Sequence, residues 1–281
     1  MALAKLFAVI VLVSLTFGAG LQVDRDDLVA LLKDASLLSR ALIANFILVP
    51  LLGAAIARLF ALPPPVATGF LLMAIAPGVP FVVASVRKRG GRIALAVAMA
   101  FFLPLISLVT IPITASLVLP PGAVAQLPLS KFVPTLLLFQ ILPLIAGIMA
   151  GRRMPSLAEK LGRPLQLIFF VSLVALLAVL LPTIVRDIGI IYGSRGMLAM
   201  LTLVLLSLGI GWLLGGPHRE DRRVLAIGTA LRNIGLCATL ATASFASSDV
   251  AASVVTYLII QAVIVSALGV YFTRTASAET A

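Results

Sequence analysis

The feature that most constrains this chain is a series of long apolar segments separated only by short polar stretches. A helix needs about 20 apolar residues to cross the hydrocarbon core of a bilayer, and several segments reach that length. Charged residues make up 11% of the chain and apolar residues 62%, against about 25% and 45–50% in soluble domains. We therefore predict an all-α polytopic membrane protein that forms a single transmembrane domain over residues 1–281.

Windows of this kind predict nine transmembrane helices. A transmembrane β-barrel is excluded because the windows are continuously apolar and lack a period of two. Met1–Gly20 also has features of a secretory signal peptide, but a signal peptide would reverse the charge pattern described next, so this segment is interpreted as the first span. The predicted spans cover residues 3–21, 37–57, 65–84, 93–116, 131–150, 164–183, 196–215, 223–245 and 250–272.

Lysine and arginine are distributed unequally between the connections on the two sides of these spans. Connections after spans 1, 3, 5, 7 and 9 carry 15 of them, and the other side carries 5, while Arg232 lies inside span 8. Because cytoplasmic loops are enriched in basic residues, we predict an inner-membrane protein with its N-terminus outside and its C-terminus in the cytoplasm. The net charge of +11 is then explained by topology beside the lipid bilayer, and no nucleic-acid partner is expected.

The chain has few side chains that carry catalytic or metal chemistry. Cys237 is the single cysteine and His218 the single histidine, so a metal cluster or a catalytic triad lacks enough members. We therefore expect no cofactor, no metal site and no enzymatic activity.

Two of the predicted spans contain breaks at mid-membrane depth. Span 3 includes Pro77, Gly78 and Pro80, where prolines remove amide donors and glycine loosens the backbone. Span 8 includes Arg232. Such breaks occur only where protein buries them or where they line a polar cavity, and paired breaks indicate the binding site of an inverted-repeat transporter. Spans 3 and 8 are five apart, so they run in opposite directions, as an inverted repeat with two broken helices requires.

At this point the sequence resembles the bile acid:sodium symporter family, over essentially the whole chain from about Leu15 to Thr273. The order and the spacing of several short motifs carry the resemblance, and across spans 2 to 4 they fit without gaps. These motifs are Thr16–Leu21, Asn45–Leu51, Ala57–Pro63, Pro77–Gly78, Ile93–Val97 and Arg232–Leu236.

The resemblance implies a core domain with two crossed, broken helices that moves against a panel domain. Spans 2–4 and 7–9 would form the core, and spans 1, 5 and 6 the panel. An asparagine at the crossing lies beside the substrate in the family, and it corresponds here to Asn233.

The departures from the family concern its sodium sites. A glutamate and a glutamine on the second broken helix correspond here to Gly228 and Arg232. An arginine about 5 Å from a cation adds roughly 3 kcal/mol of repulsion at an effective dielectric near 20. We therefore predict that the sodium sites are absent. The other ligand positions of the family correspond to Asn45, Val82, Val83, Ala96 and Ala100.

Arg232 has no carboxylate in any predicted span to neutralise it, because every Asp and Glu falls in a connection or in the tail. The guanidinium has three options: backbone carbonyls freed at the breaks, an amide such as that of Asn45, or a bound anion. One hypothesis is that Arg232 replaces the sodium ions as a fixed charge, since a guanidinium fits a carboxylate by bidentate geometry. The other is that Arg232 is a structural pin between span 8 and the carbonyls of span 3.

The residues at the two breaks are the candidate substrate site. For Asn233 a hydrogen bond between helices is the alternative role, and it is the prediction for Gln140 and Gln261. The candidate substrate-binding residues are Arg232, Asn233, Asn45, Pro77, Gly78 and Pro80.

These observations predict a secondary transporter that moves a small organic anion by alternating access, without sodium coupling. A homo-oligomer is compatible with this prediction. Facilitated diffusion or a proton carried on the substrate fits better than sodium symport, because no intramembrane carboxylate or histidine is available. Two alternatives stay open: an efflux permease for an inorganic or neutral solute, and a transport-inactive sensor or scaffold on the same fold.

Overall fold

The computed structural model describes residues 2–23, 26, 29, 34–78, 91–127, 129–245 and 248–280. Within these ranges the chain is helical with short connections, and the one β-type pairing is an isolated bridge. The helices are α1 (Ala2–Leu21), α2 (Ala35–Leu59), α3 (Pro64–Ile75), α4 (Ile93–Val118), α5 (Pro121–Gln126), α6 (Leu129–Leu136, Leu137–Ile141 and Leu142–Arg153), α7 (Pro155–Gly193), α8 (Gly196–Leu214), α9 (Arg219–Ala230), α10 (Ile234–Ser244) and α11 (Ser248–Thr280).

Seven helices of the described chain are long and apolar enough to cross a membrane, by length and composition. They coincide with predicted spans 1, 2, 4, 5, 6, 7 and 9. Predicted spans 3 and 8 instead contain the short apolar helices α3 and α10, which rise only about 18 Å and 16 Å at 1.5 Å per residue. The prediction of an all-α multi-pass protein is confirmed, whereas the count of nine spans and the inverted repeat stay predictions.

The short helices lie in the interior of the helix bundle. Every residue of α3 from Val66 to Ile75 is buried, as are residues 223–230 of α9 and residues 234–242 of α10. These helices are enclosed because α11 packs on α3, α8 packs on α9, and α1 packs on α10. A helix that is apolar on all sides requires such enclosure, which places the ends of the broken helices deep in the protein.

Helices α1 and α6 meet backbone to backbone at glycines. A Cβ on Gly20 would lie 3.0 Å from the Cα of Gly147 and 2.9 Å from the amide of Ile148. A Cβ on Gly151 would lie 2.8 Å from the carbonyl of Leu21. Small residues four apart allow this close approach of membrane helices.

Two helices contain one π-helical turn each, in Ala44–Leu48 of α2 and in Leu137–Ile141 of α6. Each is followed by a proline, Pro50 or Pro143, whose ring has no N–H for the carbonyl four residues earlier. That carbonyl falls within the π-helical turn in both cases. Such turns are frequent at functional sites, and each of these two holds a buried amide side chain.

The predicted membrane orientation gives a direct experiment. Single cysteines near Gly90 and Gly216 are expected to react with an impermeant thiol reagent only from the cytoplasmic side, and those near Pro121 and Ser248 only from outside. Cys237 is buried, so its own labelling stays low. Inverted labelling at all four positions would contradict the orientation derived from the basic residues.

Candidate functional site

The two interrupted helices cross through a short pairing of extended backbone. Helix α3 ends at Ile75, α9 ends at Ala230, and α10 begins at Ile234. Between these ends, Pro77 and Arg232 form an antiparallel β-bridge.

Two hydrogen bonds flank this bridge. The Gly78 amide donates to the Leu231 carbonyl at 3.0 Å, and the Asn233 amide donates to the Ala76 carbonyl at 3.1 Å. Helix ends leave backbone groups unsatisfied, and the crossing satisfies part of them in the protein interior.

Gly78 is required by this close approach. A Cβ at that position would overlap the backbone of Leu231 and Arg232. The structure therefore brings the predicted residues Pro77 and Gly78 against Arg232, while Pro80 lies outside the described residues, as do Val82 and Val83.

The Arg232 guanidinium is buried and donates to four protein oxygens. Nε donates to the Met73 carbonyl at 2.9 Å, and Nη2 donates to the Ala74 carbonyl. Nη1 donates to Asn45 Oδ1 at 3.1 Å and to the Thr229 carbonyl at 3.3 Å. Four of the five N–H groups of the guanidinium are thus engaged, so no pair of them is open to a carboxylate in this conformation.

The amide of Asn45 reaches Arg232 from the π-helical turn of α2. Its Nδ2 donates to the Ala41 carbonyl at 3.0 Å, which orients Oδ1 as the acceptor for the guanidinium. The backbone of Arg232 is held separately, because its amide donates to Gln261 Oε1 at 3.0 Å. The predicted interhelical role of Gln261 is confirmed.

Asn233 links the crossing to α6. Its Oδ1 accepts from the Leu236 amide at 3.1 Å and caps α10, while its Nδ2 donates to Gln140 Oε1 at 3.1 Å. Gln140 Nε2 in turn donates to Ser107 Oγ at 3.0 Å and to the Pro104 carbonyl at 3.3 Å. The interhelical role predicted for Gln140 is confirmed, and Asn233 makes the interhelical hydrogen bond that was its alternative.

No carboxylate of the described chain lies within ion-pair distance of Arg232. The described ion pairs join Arg92 to Asp34 and Asp221, and Arg186 to Asp187. Within the described chain, the acceptors of the Arg232 guanidinium are neutral oxygens, in agreement with the absence of acidic residues from the predicted spans.

The described positions of the family's sodium ligands offer no oxygen-bearing side chain apart from Asn45. Ala96 and Ala100 are fully buried and present methyl groups, and Gly228 has no side chain. Among the described residues, no group of three His, Cys, Asp or Glu side chains could hold a metal ion. The arrangement can therefore supply a fixed positive potential and neutral hydrogen-bonding groups.

Sequence reasoning missed the exact acceptors of Arg232. The Met73, Ala74 and Thr229 carbonyls are freed by helix ends, and the side-chain identities there give no signal. The hydrogen bond from Asn233 to Gln140 was also missed. An amide residue shortly before a proline occurs in both α2 and α6, and this shared pattern could have indicated that the two amides have related roles.

Comparison with known proteins agrees with this architecture. A family model described as "Sodium Bile acid symporter family" matches residues 9–193. A curated relative from Bacillus subtilis (strain 168), named "Uncharacterized sodium-dependent transporter YocS", is 26% identical over 243 residues, which cover 82% of this chain and 71% of the relative.

Proposed function

Since this chain belongs to the sodium bile acid symporter family and is a multi-pass membrane transporter, we propose that it moves a small organic anion by alternating access without sodium coupling. We further propose an inner-membrane location with the N-terminus outside. The observation that carries the proposal is the buried guanidinium of Arg232, which has no carboxylate partner among the described residues.

The sign of the charge at the crossing favours anions over cations. A unit charge about 5 Å from another contributes roughly 3 kcal/mol at an effective dielectric near 20, so Arg232 repels a sodium ion and attracts an anion by that amount. The relative's name calls it sodium-dependent. In this chain the fixed charge of Arg232 would attract the substrate anion in place of a bound cation. Because the charge is covalently part of the protein, no ion gradient is needed to keep it at the site.

The substrate would interact with Arg232 mainly through its potential. Four N–H groups of the guanidinium already donate to protein oxygens, so direct contact is limited to the remaining one. A carboxylate that approaches the crossing gains from the charge without displacing the Met73 and Ala74 carbonyls. This favours a small anion over a bulky one with several polar groups.

Alternating access requires an interface that can separate, and the predicted core and panel domains would meet at the Gln140–Asn233 contact. Gln140 belongs to predicted panel span 5, while Asn233 and Ser107 belong to predicted core spans 8 and 4. Hydrogen bonds between membrane helices contribute about 0.6 kcal/mol on average. Breaking the few that join Gln140 to the core is therefore feasible at each transport step.

The test is uptake into liposomes that contain the purified protein. Candidate anions are first selected by their ability to raise its melting temperature, since a ligand that binds the folded state stabilises it. Initial uptake of a selected carboxylate is expected to be the same in sodium and in choline at constant ionic strength. Protein-free liposomes are the control, and a saturable sodium dependence would contradict the proposal. A protein that neither binds nor moves any anion of the panel would favour the scaffold alternative.

A further inference from the structure

A second charged cluster lies at the starts of three helices that lead to the crossing. Asp34 caps the N-terminus of α2, Arg92 is the N-cap residue of α4, and Asp221 lies in the first turn of α9. Arg92 Nη1 lies 3.5 Å from Asp34 Oδ2 and 3.6 Å from Asp221 Oδ2. By the distribution of basic residues, this is the predicted cytoplasmic end.

The three helices connect this cluster to the hydrogen bonds of the crossing. Helix α2 carries Asn45, α4 carries Ser107, and α9 ends one residue before Leu231 in the break. From Asp221 to the end of α9 is about 14 Å of continuous helix. A shift of α9 relative to α2 and α4 at the cluster would therefore reach Arg232 and its partners.

The two carboxylates that share Arg92 have different surroundings. The Asp34 side chain is 40% exposed, whereas that of Asp221 is 6% exposed. Asp221 Oδ1 is buried and has no hydrogen-bond partner among the described residues. A charged carboxylate with one loose ion pair and one unpaired oxygen is poorly stabilised in a protein interior, and a proton on that oxygen would relieve the mismatch.

The groups that face Asp221 come from several elements. Burial raises the pKa of Asp221 above its ordinary value of 3.8, while Arg92 and His218 oppose this rise and Asp34 and Glu220 add to it. Helices α4, α8 and α11 pack against α9. Neither α4 nor α8 contains an ionisable residue over Ile93–Val118 or Gly196–Leu214. Those of α11 are not among the charges that shift the pKa of Asp221. The equilibrium between protonated and ionised Asp221 thus depends mainly on the desolvation of its carboxyl group and on the charge of Arg92.

We propose that Asp221 is a proton-binding site of the transport cycle, which supplies the ion coupling that the missing sodium sites do not. When protonated, the Asp221 carboxyl is neutral and stays buried, so α9 remains packed beside α2 and α4. When the carboxyl loses its proton to water, the buried charge has one loose contact with Arg92 at 3.6 Å and no partner for Oδ1 among the described residues. The start of α9 is then released so that the carboxylate is hydrated, while Arg92 stays with Asp34. The role of Asp221 in transport rests on the proposed function, whereas proton binding and the release of α9 do not.

Thermal unfolding against pH tests the proton site without any substrate. Because the pKa of Asp221 is raised in the folded state, its contribution to stability is present below about pH 4 and is lost as pH rises through the folded-state pKa. The melting temperature is expected to fall, over this pH range, by about 3 °C for each unit by which the folded-state pKa of Asp221 exceeds its ordinary value. Asp221→Asn should abolish this decrease in melting temperature. Asp34→Asn, which removes the other partner of Arg92, should retain it. An unchanged pH profile in Asp221→Asn overturns the proposal.

A distance measurement tests the release of α9. Spin labels at Ala35→Cys and Pro217→Cys occupy exposed positions beside the cluster, and buried Cys237 stays unlabelled. The distance between the labels is expected to be short at the acid end of a pH titration and to lengthen as pH rises through the folded-state pKa of Asp221. In Asp221→Asn the distance is expected to be short throughout, because the amide is neutral at every pH. A distance that is independent of pH with Asp221 intact overturns the proposal, as does the same pH response in Asp221→Asn. Neither experiment contains an organic anion, so their failure leaves the liposome test of the proposed function standing.

Discussion

Arg232→Gln is expected to lower the melting temperature of the ligand-free protein by roughly 6–12 °C. The substitution withdraws the donors from the Met73 and Ala74 carbonyls and from Asn45 Oδ1. Each buried acceptor left without a donor is worth about 1–3 kcal/mol, and removal of a poorly solvated charge offsets part of this loss. A net effect of about 3 kcal/mol gives the stated shift at roughly 2–4 °C per kcal/mol.

Two companion variants make this prediction specific. Arg232→Lys should fall between wild type and Arg232→Gln, because an ammonium keeps the charge but lacks the planar fork. Arg58→Gln makes the same change at an exposed arginine and should leave the melting temperature unchanged. A wild-type melting temperature in Arg232→Gln would show that these hydrogen bonds do not stabilise the crossing.

The same variants separate the two roles of Arg232. If the charge serves the substrate, anion affinity falls in Arg232→Gln by roughly 10- to 150-fold, the equivalent of one charged hydrogen bond. Unchanged affinity in a destabilised Arg232→Gln protein would refute the substrate role and leave Arg232 as a structural pin.

Gly78→Ala is the second large expected effect, although the change adds one methyl group. The new Cβ would overlap the backbone of Leu231 and Arg232, and backbone atoms cannot move aside as a flexible side chain can. The Gly78–Leu231 and Asn233–Ala76 hydrogen bonds would be broken or lengthened. Overpacking of about 1–3 kcal/mol and two hydrogen bonds of about 1 kcal/mol each together give about 3–5 kcal/mol of destabilisation.

The control for this variant is the same substitution at an open glycine. A Cβ on Gly209 in α8 would meet nothing within 4 Å, so Gly209→Ala should be neutral or stabilising by up to about 1 kcal/mol, as expected in a helix interior. The measurement is thermal unfolding of both purified variants, with the folded yield recorded beside it. Equal stability of Gly78→Ala and Gly209→Ala would contradict the described approach of the two chain segments.

The sequence was informative wherever a local rule determines the structure. Apolar length predicts the long helices, and Pro77, Gly78 and Arg232 mark the breaks because proline, glycine and a charge each disfavour an uninterrupted membrane helix. The environment of Arg232 could be reduced to three options, since no acidic residue is available in a span. Two of these options, the carbonyls and Asn45, are the contacts observed.

Contacts between distant segments could not be predicted in this way. Gln140 and Asn233 are 93 residues apart, and nothing local to either residue specifies the other. Asp221 lies in a polar connection, where a carboxylate is normally exposed, yet the packing of neighbouring helices buries it. Burial of this kind is a property of the assembled bundle and has no local pattern.

The glycine contact between α1 and α6 restricts which degrees of freedom the protein has. A slide of one helix past the other by a single residue, about 1.5 Å, would bring a side chain where Gly20 and Gly147 leave no room for one. Helices α1 and α6 must therefore move together as one rigid unit throughout any transport cycle. The same restriction on sliding holds where α1 meets α10, because a Cβ on Gly235 would lie 2.8 Å from the Cα of Leu12. A rearrangement at the adjacent boundary, where Gln140 meets Asn233, should therefore separate the two surfaces and exchange a few amide hydrogen bonds rather than slide one helix along the other.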